Sequence, residues 1–259
     1  MVTALSILLA LAVVAACSAA ADPISNHLPA ANQNLFHHPG AKRVIFNIGS
    51  YHDPPSPPDD ETIVIAIEAR PDTSSRIKDE PGLYVLTAAV SSGYGIHVMH
   101  HYEDSSSLLK PRDPGADWTN KGKAGKVLLV PTVPLSAIMA LVKDLECSFL
   151  KIDAQGFDFK IVQGAGALLK ACPFINTEVY CGSYNAYQGA ENHFERNFLP
   201  YMAEMGFVPA GRGFLDATTL NPNWEVCTHV NEEMAMIWRR ADVTTPIDDV
   251  VRWCPLCCT

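Results

Sequence analysis

Between residues 43 and 240 the chain alternates short apolar runs with stretches whose apolar residues recur at helical spacing. Arg43-Val44-Ile45-Phe46-Asn47-Ile48-Gly49 ends in glycine, and Ile63-Val64-Ile65-Ala66-Ile67-Glu68 ends in an acid. Runs this short and this continuous predict strands buried on both faces, as in a parallel sheet. Leu83 to Ala88 supplies a third strand, while Gly95-Ile96-His97-Val98-Met99-His100 alternates as a half-exposed strand does. Leu135 to Val142 has helical spacing, and Phe149-Leu150-Lys151-Ile152-Asp153 returns to a buried strand closed by an acid. Phe157 to Lys170 predicts a helix broken at Gly164 and Gly166, and Phe174 to Val179 the next strand. The clearest helix is Glu191 to Met205, with an apolar stripe of Phe194, Phe198, Leu199, Met202 and Met205 and a stop at Gly206. Phe207-Val208-Pro209 and Met234 to Trp238 predict closing strands that form an antiparallel edge pair. The alternation predicts an α/β fold around a doubly wound, mostly parallel sheet, with the ligand site at the carboxyl ends of its strands.

Composition changes this picture mainly outside the body. Hydrophobic residues at 48% and charged residues at 18% are ordinary for a globular domain, and the net charge of -9 argues against a nucleic-acid partner. Ala4 to Ala16 carries no charge and leads into Cys17-Ser18-Ala19-Ala20-Ala21-Asp22, a signal-peptide pattern over residues 1–21. Met1-Val2-Thr3 lacks Lys and Arg, and the apolar run approaches the ~20 residues that span a bilayer, so a retained membrane anchor over residues 4–21 is the alternative. Val14-Ala15-Ala16-Cys17 also resembles a lipobox. Residues 22–42 predict an irregular arm, 43–240 one domain, and 241–259 a Cys-rich tail. The proline-rich segment His52 to Pro58 predicts a rigid loop.

Of eight cysteines, seven follow Cys17, a usage that suits an oxidising compartment and leaves at least one of the seven without a partner inside the chain. Cys172 and Cys181 flank one predicted strand, so at ~3.3 Å per residue they lie too far apart to bridge each other, and each needs another partner. Cys254, Cys257 and Cys258 predict disulfides or thiols rather than half of a zinc site. His37-His38 and His100-His101 predict surface or core histidines, since adjacent side chains on a strand point to opposite faces. There is no nucleophile elbow, His-Glu-x-x-His or phosphate loop.

The strand ends carry Asn47, Gly49, Glu68, Asp153 and Glu178. An acid there either lines a ligand site or caps a neighbouring element. The segments Val44 to Ser50, Val64 to Pro71, Ala88 to Ser91, Ser105 to Leu108, Val133 to Leu135 and Phe149-Leu150-Lys151-Ile152-Asp153-Ala154-Gln155-Gly156-Phe157-Asp158 occur in an order and spacing that resemble the FkbM family of methyltransferases, from about Val44 to Trp238. The resemblance implies a Rossmann-like class I methyltransferase fold that binds S-adenosylmethionine and methylates a hydroxyl of a sugar, polyketide or similar small-molecule or glycan acceptor, without a metal. It assigns Asn47 and Gly49 to the turn facing the methionine end of the cofactor, Glu68 to the ribose hydroxyls, and Ala89 to the adenine edge. Asp153 falls between cofactor and acceptor and is the first candidate for the base, with Glu178 the second.

The first motif departs from the family pattern Asp-x-Gly-Ala-Asn-x-Gly. Here it reads Asn47-Ile48-Gly49-Ser50-Tyr51-His52-Asp53-Pro54-Pro55, and the prolines forbid the usual first helix. That helix would aim backbone N–H groups at the ligand's carboxylate, so Ser50, Tyr51 or His52 is expected to supply side-chain donors instead. The leading reading is an O-methyltransferase of the secretory pathway, secreted or membrane-anchored. The rival is a binding protein that keeps the fold without turnover. Ser105-Ser106-Ser107 predicts a flexible loop, with contacts to an acceptor sugar as the other reading.

Overall fold

The computed structural model describes residues 38–113, 126–212 and 223–245, so the expected signal peptide or anchor, most of the expected arm and most of the Cys-rich tail lie outside the described residues. β1 (Arg43–Ile48) and β2 (Thr62–Glu68) lie side by side in parallel, Val44 opposite Ile63 and Asn47 opposite Ala66. A single helical turn, α1 (Pro71–Ser74), leads to β3 (Leu83–Thr87), parallel to β2. The chain then builds β4 (Ala89–Ser91), β5 (Gly95–His101) and β6 (Lys126–Pro134) before α2 (Leu135–Leu141) and β7 (Glu146–Ile152). α3 (Asp158–Ala165), β8 (Phe174–Tyr180), α4 (Leu199–Glu204), β9 (Phe207–Arg212) and β10 (Glu233–Arg240) complete it.

The main sheet runs β3-β2-β1-β7-β8-β10-β9, parallel except for β10, which pairs antiparallel with both neighbours. The mostly parallel sheet with an antiparallel edge therefore forms as the apolar runs predict. Successive side chains on a strand alternate faces. Val44, Phe46 and Ile48 accordingly join Leu135 and Ile138 of α2, Ile161 and Val162 of α3, and Phe198 and Met202 in one core. Ile45, Val64, Phe149, Phe174 and Ile237, one from each of five strands, form a second cluster on the opposite face.

Two predicted helices differ in form. Glu191 to Met205 is not one α-helix: residues Phe194–Phe198 make a π-turn, with the N–H of Phe198 reaching the carbonyl of His193, and α4 follows. Pro200 explains the widening, because it has no N–H to donate and its ring crowds the preceding turn. The apolar stripe still buries Phe194 and Phe198 against the Trp238 ring. The predicted helix at Phe157 to Lys170 is α through Ala165 and 3-10 over Gly166–Ala171. Gly164 does not break it. A Cβ there would sit 2.8 Å from the carbonyl oxygen of Ser91, so this glycine lets α3 approach β4.

β5 belongs to a separate three-stranded sheet, ordered β4-β6-β5, which the apolar pattern did not predict. β4 is too short to show a period, and Pro131 and Pro134 argue against a strand at β6. Pro131 is tolerated because β4 pairs only with Thr132 to Pro134, so β6 is a local edge at that point. Disulfides Cys147–Cys172 and Cys181–Cys227 give the two cysteines flanking β8 separate partners, as the strand length requires.

Candidate functional site

Where β1, β2 and β7 end, a cleft of about 330 Å³ opens. Asn47, Gly49, Ser50, Glu68, Ala89 and Asp153 all line it, and among the described residues no proline does. Residues 49–61 form no helix. Instead the chain turns sharply at Gly49 (φ +71°) and Tyr51 (φ +51°). The glycine is required on two counts. Its backbone is left-handed, and a Cβ would lie 1.8 Å from the carbonyl oxygen of Asp153.

This turn uses its own backbone donors. The N–H groups of Gly49 and Ser50 bond the carbonyl of Ile67 at 2.9 and 3.3 Å, and that of Tyr51 bonds Glu68 Oε2 at 2.9 Å. Glu68 Oε1 accepts the N–H of Arg70 at 2.8 Å. The carboxylate is thus held from both sides in a site that is 6% exposed. Burial raises its pKa, while the two N–H groups and the Arg70 charge pull it back down. Asn47 Oδ1 and Ser50 Oγ, by contrast, are buried without a hydrogen-bond partner. Buried polar atoms are nearly always paired, so two orphans beside one cleft point to a ligand. Tyr51 lines the cleft, but His52 is exposed and does not.

The second sheet supplies the cleft's apolar side. Ala89 of β4 packs with Met99 of β5 and Val130 of β6, flanked by Ala69 and Leu108. Ser105, Ser106 and Ser107 complete that wall, and all three hydroxyls are bonded within the protein, that of Ser105 donating to Asp104 Oδ1 at 3.0 Å. Ser106 Oγ accepts the N–H of Tyr102 at 3.0 Å, and Ser107 Oγ donates to the carbonyl of Gln155 at 2.7 Å. Ser105 closes the 3-10 turn Glu103–Ser105 and Ser107 bridges His100, so these serines are held in place rather than in a flexible loop.

Past β7 the acids gather. Asp153 accepts from Gln155 Nε2 at 2.9 Å on Oδ1 and from Lys151 Nζ at 3.3 Å on Oδ2. Glu178 does not line the cleft, and the Gln155 amide reaches it at 3.3 Å. Behind it, Asp158 is fully buried and accepts the N–H of Glu178, the N–H of Ala154 and the amide of Asn192. Burial and the nearby Asp153 charge push the Asp158 carboxyl up to about 7. Glu233, on β10 opposite Tyr180, is pushed up to about 8 by burial and by Asp158 and Asp153. Glu178 is raised well above the carboxylate range by desolvation and by Asp153, Glu233 and Asp158.

Residues 47–209 match the methyltransferase FkbM domain. The chain belongs to the FkbM methyltransferase family. Its main sheet, with β10 antiparallel near one edge, is the Rossmann-like methyltransferase fold. A solved structure of a pericyclic-reaction enzyme has 10% identity and a TM-score of 0.34, with 85% of this chain and 50% of that chain covered. Two structures of LepI, one a variant in complex with SAH and a substrate analogue and one in complex with SAM, have 11% identity and TM-scores of 0.33 and 0.32, with the same coverage. This chain thus spans half the length of those proteins. No curated protein matches it in sequence.

Several residues in or beside the cleft of this FkbM domain escaped the sequence reading. Lys151 reads as a strand residue, yet it is 8% exposed and paired with Asp153. Met99 reads as one apolar position in an alternating strand. Gln155 and Tyr187 lie 32 residues apart, and nothing in the sequence links them before the fold brings them together.

Proposed function

We propose that the chain binds S-adenosylmethionine in this cleft and methylates a hydroxyl of a small-molecule or glycan acceptor. The observation that carries the reading is the pair of unpartnered buried atoms, Asn47 Oδ1 and Ser50 Oγ, beside the clamped carboxylate of Glu68. Their chemistry fits the cofactor's polar groups. An amide oxygen accepts from an ammonium, and a hydroxyl donates to a carboxylate. Each Glu68 oxygen takes one N–H and keeps lone-pair capacity for ribose hydroxyls. Ala89 and Met99 offer an apolar edge to adenine.

When bound, the cofactor supplies an already activated methyl group, so the chain's own work is positioning and proton removal. Asp153 lies on the cleft wall with both oxygens engaged from inside the protein, which supports its reading as the group that accepts the acceptor's hydroxyl proton. Glu178 is set back from the cleft and stands behind Asp153 rather than in its place. Two disulfides are compatible with an oxidising compartment, and with the apolar segment at residues 4–21 they support a secretory location, secreted or anchored. No described helix is long and apolar enough to cross a membrane, and residues 4–21 lie outside the described residues.

A second reading, a binding protein without turnover, is favoured by the first loop, whose N–H groups turn to Ile67 and Glu68 instead of the cleft. Methyl transfer to any hydroxyl acceptor by the purified chain would exclude it.

Thermal unfolding with S-adenosylmethionine tests the binding step that both readings share. A ligand specific to the folded state at a hundredfold excess over Kd stabilises by ~2.7 kcal/mol, or roughly 5–10 °C for a domain of this size. Glu68→Ala is expected to fold and to lose the shift. A wild-type chain whose melting does not move at millimolar cofactor refutes the proposal.

A further inference from the structure

Gln155 carries a conformation and a set of bonds that cofactor binding alone does not require. Its φ is +53°, a left-handed backbone that residues with a side chain seldom adopt. Its Nε2 donates to Asp153 Oδ1 at 2.9 Å and to Glu178 Oε2 at 3.3 Å. Its Oε1 accepts from the Tyr187 hydroxyl at 2.9 Å, and its backbone carbonyl accepts from Ser107 Oγ at 2.7 Å. The same Tyr187 hydroxyl lies 2.9 Å from the carbonyl of Ser105. The amide's orientation follows from these partners, since carboxylates need the NH2 end and a phenol can donate to the oxygen.

One amide therefore joins two carboxylates on one side to the wall formed by residues 105–107 on the other. The partners of the Gln155 side chain are two carboxylates and a phenol. Asp153 also meets Lys151. Glu178 feels Asp153, Asp158 and Glu233, and Tyr180, Tyr184 and Tyr187 pack together beside it. The Tyr187 hydroxyl is thus shared between the Ser105 carbonyl and the Gln155 amide that holds both carboxylates.

We propose that Gln155 is a positioning residue, coupling the 105–107 wall of the cleft to the carboxylates of Asp153 and Glu178 through Tyr187 and Ser107. This rests on the reading of Asp153 as the base on the acceptor side. The chain's proton acceptor is then set only when the wall is in place, so occupancy of the cleft and readiness of the base are linked.

The test uses the ligand-free full chain with ¹³C-labelled Asp and Glu carboxyls, the two signals assigned with Asp153→Asn and Glu178→Gln. Tyr187→Phe removes the shared hydroxyl and leaves every carboxylate in place. It is expected to shift both signals and move the Glu178 titration midpoint by about 0.3 pH or more, and Gln155→Ala by more, since losing a donor to the charged form raises a carboxyl's midpoint. The double variant is expected to match Gln155→Ala alone. Unmoved signals in Tyr187→Phe, or a Tyr187→Phe effect undiminished in the Gln155→Ala background, overturn the proposal. Should Gln155→Ala fail to fold, Tyr187→Phe and Ser107→Ala decide between them: both shift the two signals, or the proposal falls. S-adenosylmethionine binding, measured separately by calorimetry on the wild type, shows whether a failure belongs to this coupling or to the cofactor reading beneath it.

Discussion

Ser50 separates a binding role from a structural one with a single substitution. Its hydroxyl is buried and unpartnered, so in the free protein it is a cost rather than a contribution. Ser50→Ala is therefore expected to leave the melting temperature unchanged or raise it. The same change is expected to weaken S-adenosylmethionine binding about tenfold or more, because a hydrogen bond to a charged group contributes roughly 1.5–3 kcal/mol. Calorimetric titration and thermal melting on one sample check both signs. Asn47, Gly49, Glu68 and Asp153 were legible as strand-end residues, because polar groups closing apolar runs stand out in the sequence. Lys151, Gln155 and Tyr187 were not, because what marks them is a partner across the fold.

At the scale of elements, the two disulfides brace the strands beside the site. Cys147–Cys172 links the start of β7 to the approach of β8, and Cys181–Cys227 ties the end of β8 to the 3-10 turn Trp224–Thr228. They close loops with sequence separations of 25 and 46 residues. Loop-closure entropy puts each at about 2–4 kcal/mol, the longer loop somewhat more. Replacing Cys181 and Cys227 together by serine is expected to lower the urea midpoint correspondingly, and reduction of the wild type to lower it further. Strands of the main sheet were read from apolar runs, whereas β4 and β6 were not. Helix form was not, because Pro200 acts through a π-turn that has no pattern of its own, and Gly164 serves a contact with β4 that only packing reveals.

The whole molecule concentrates acid behind its cleft, and this sets a pH dependence. Asp158, Glu178 and Glu233 all have folded-state pKa values raised above their ordinary ones, through burial first and mutual repulsion second. These three groups then bind more protons in the folded state than in the unfolded chain, so their contribution to stability is fully present in acid and is lost as pH rises from about 4 through about 8. His100 and His193, lowered by burial, act in the opposite sense around and below pH 6.5. Between pH 6.5 and 9 the carboxyls dominate, and the unfolding free energy is expected to drop by about 2–4 kcal/mol at ~1.4 kcal/mol per pKa unit. Denaturant titrations at the two pH values measure it, and Glu233→Gln is expected to flatten the dependence.

The sequence alone determined the order of the main-sheet strands, the cleft's end of the sheet and the loss of the first helix. These depend on local properties: apolar run length, strand-end polarity and the geometry of proline. Tertiary structure decided what surrounds that cleft. The sheet β4-β6-β5 became its apolar wall, the turn at Gly49 directed its N–H groups inward, and Gln155 met Tyr187. Contacts between residues far apart in the chain leave no periodicity behind, so only folding brings them into view.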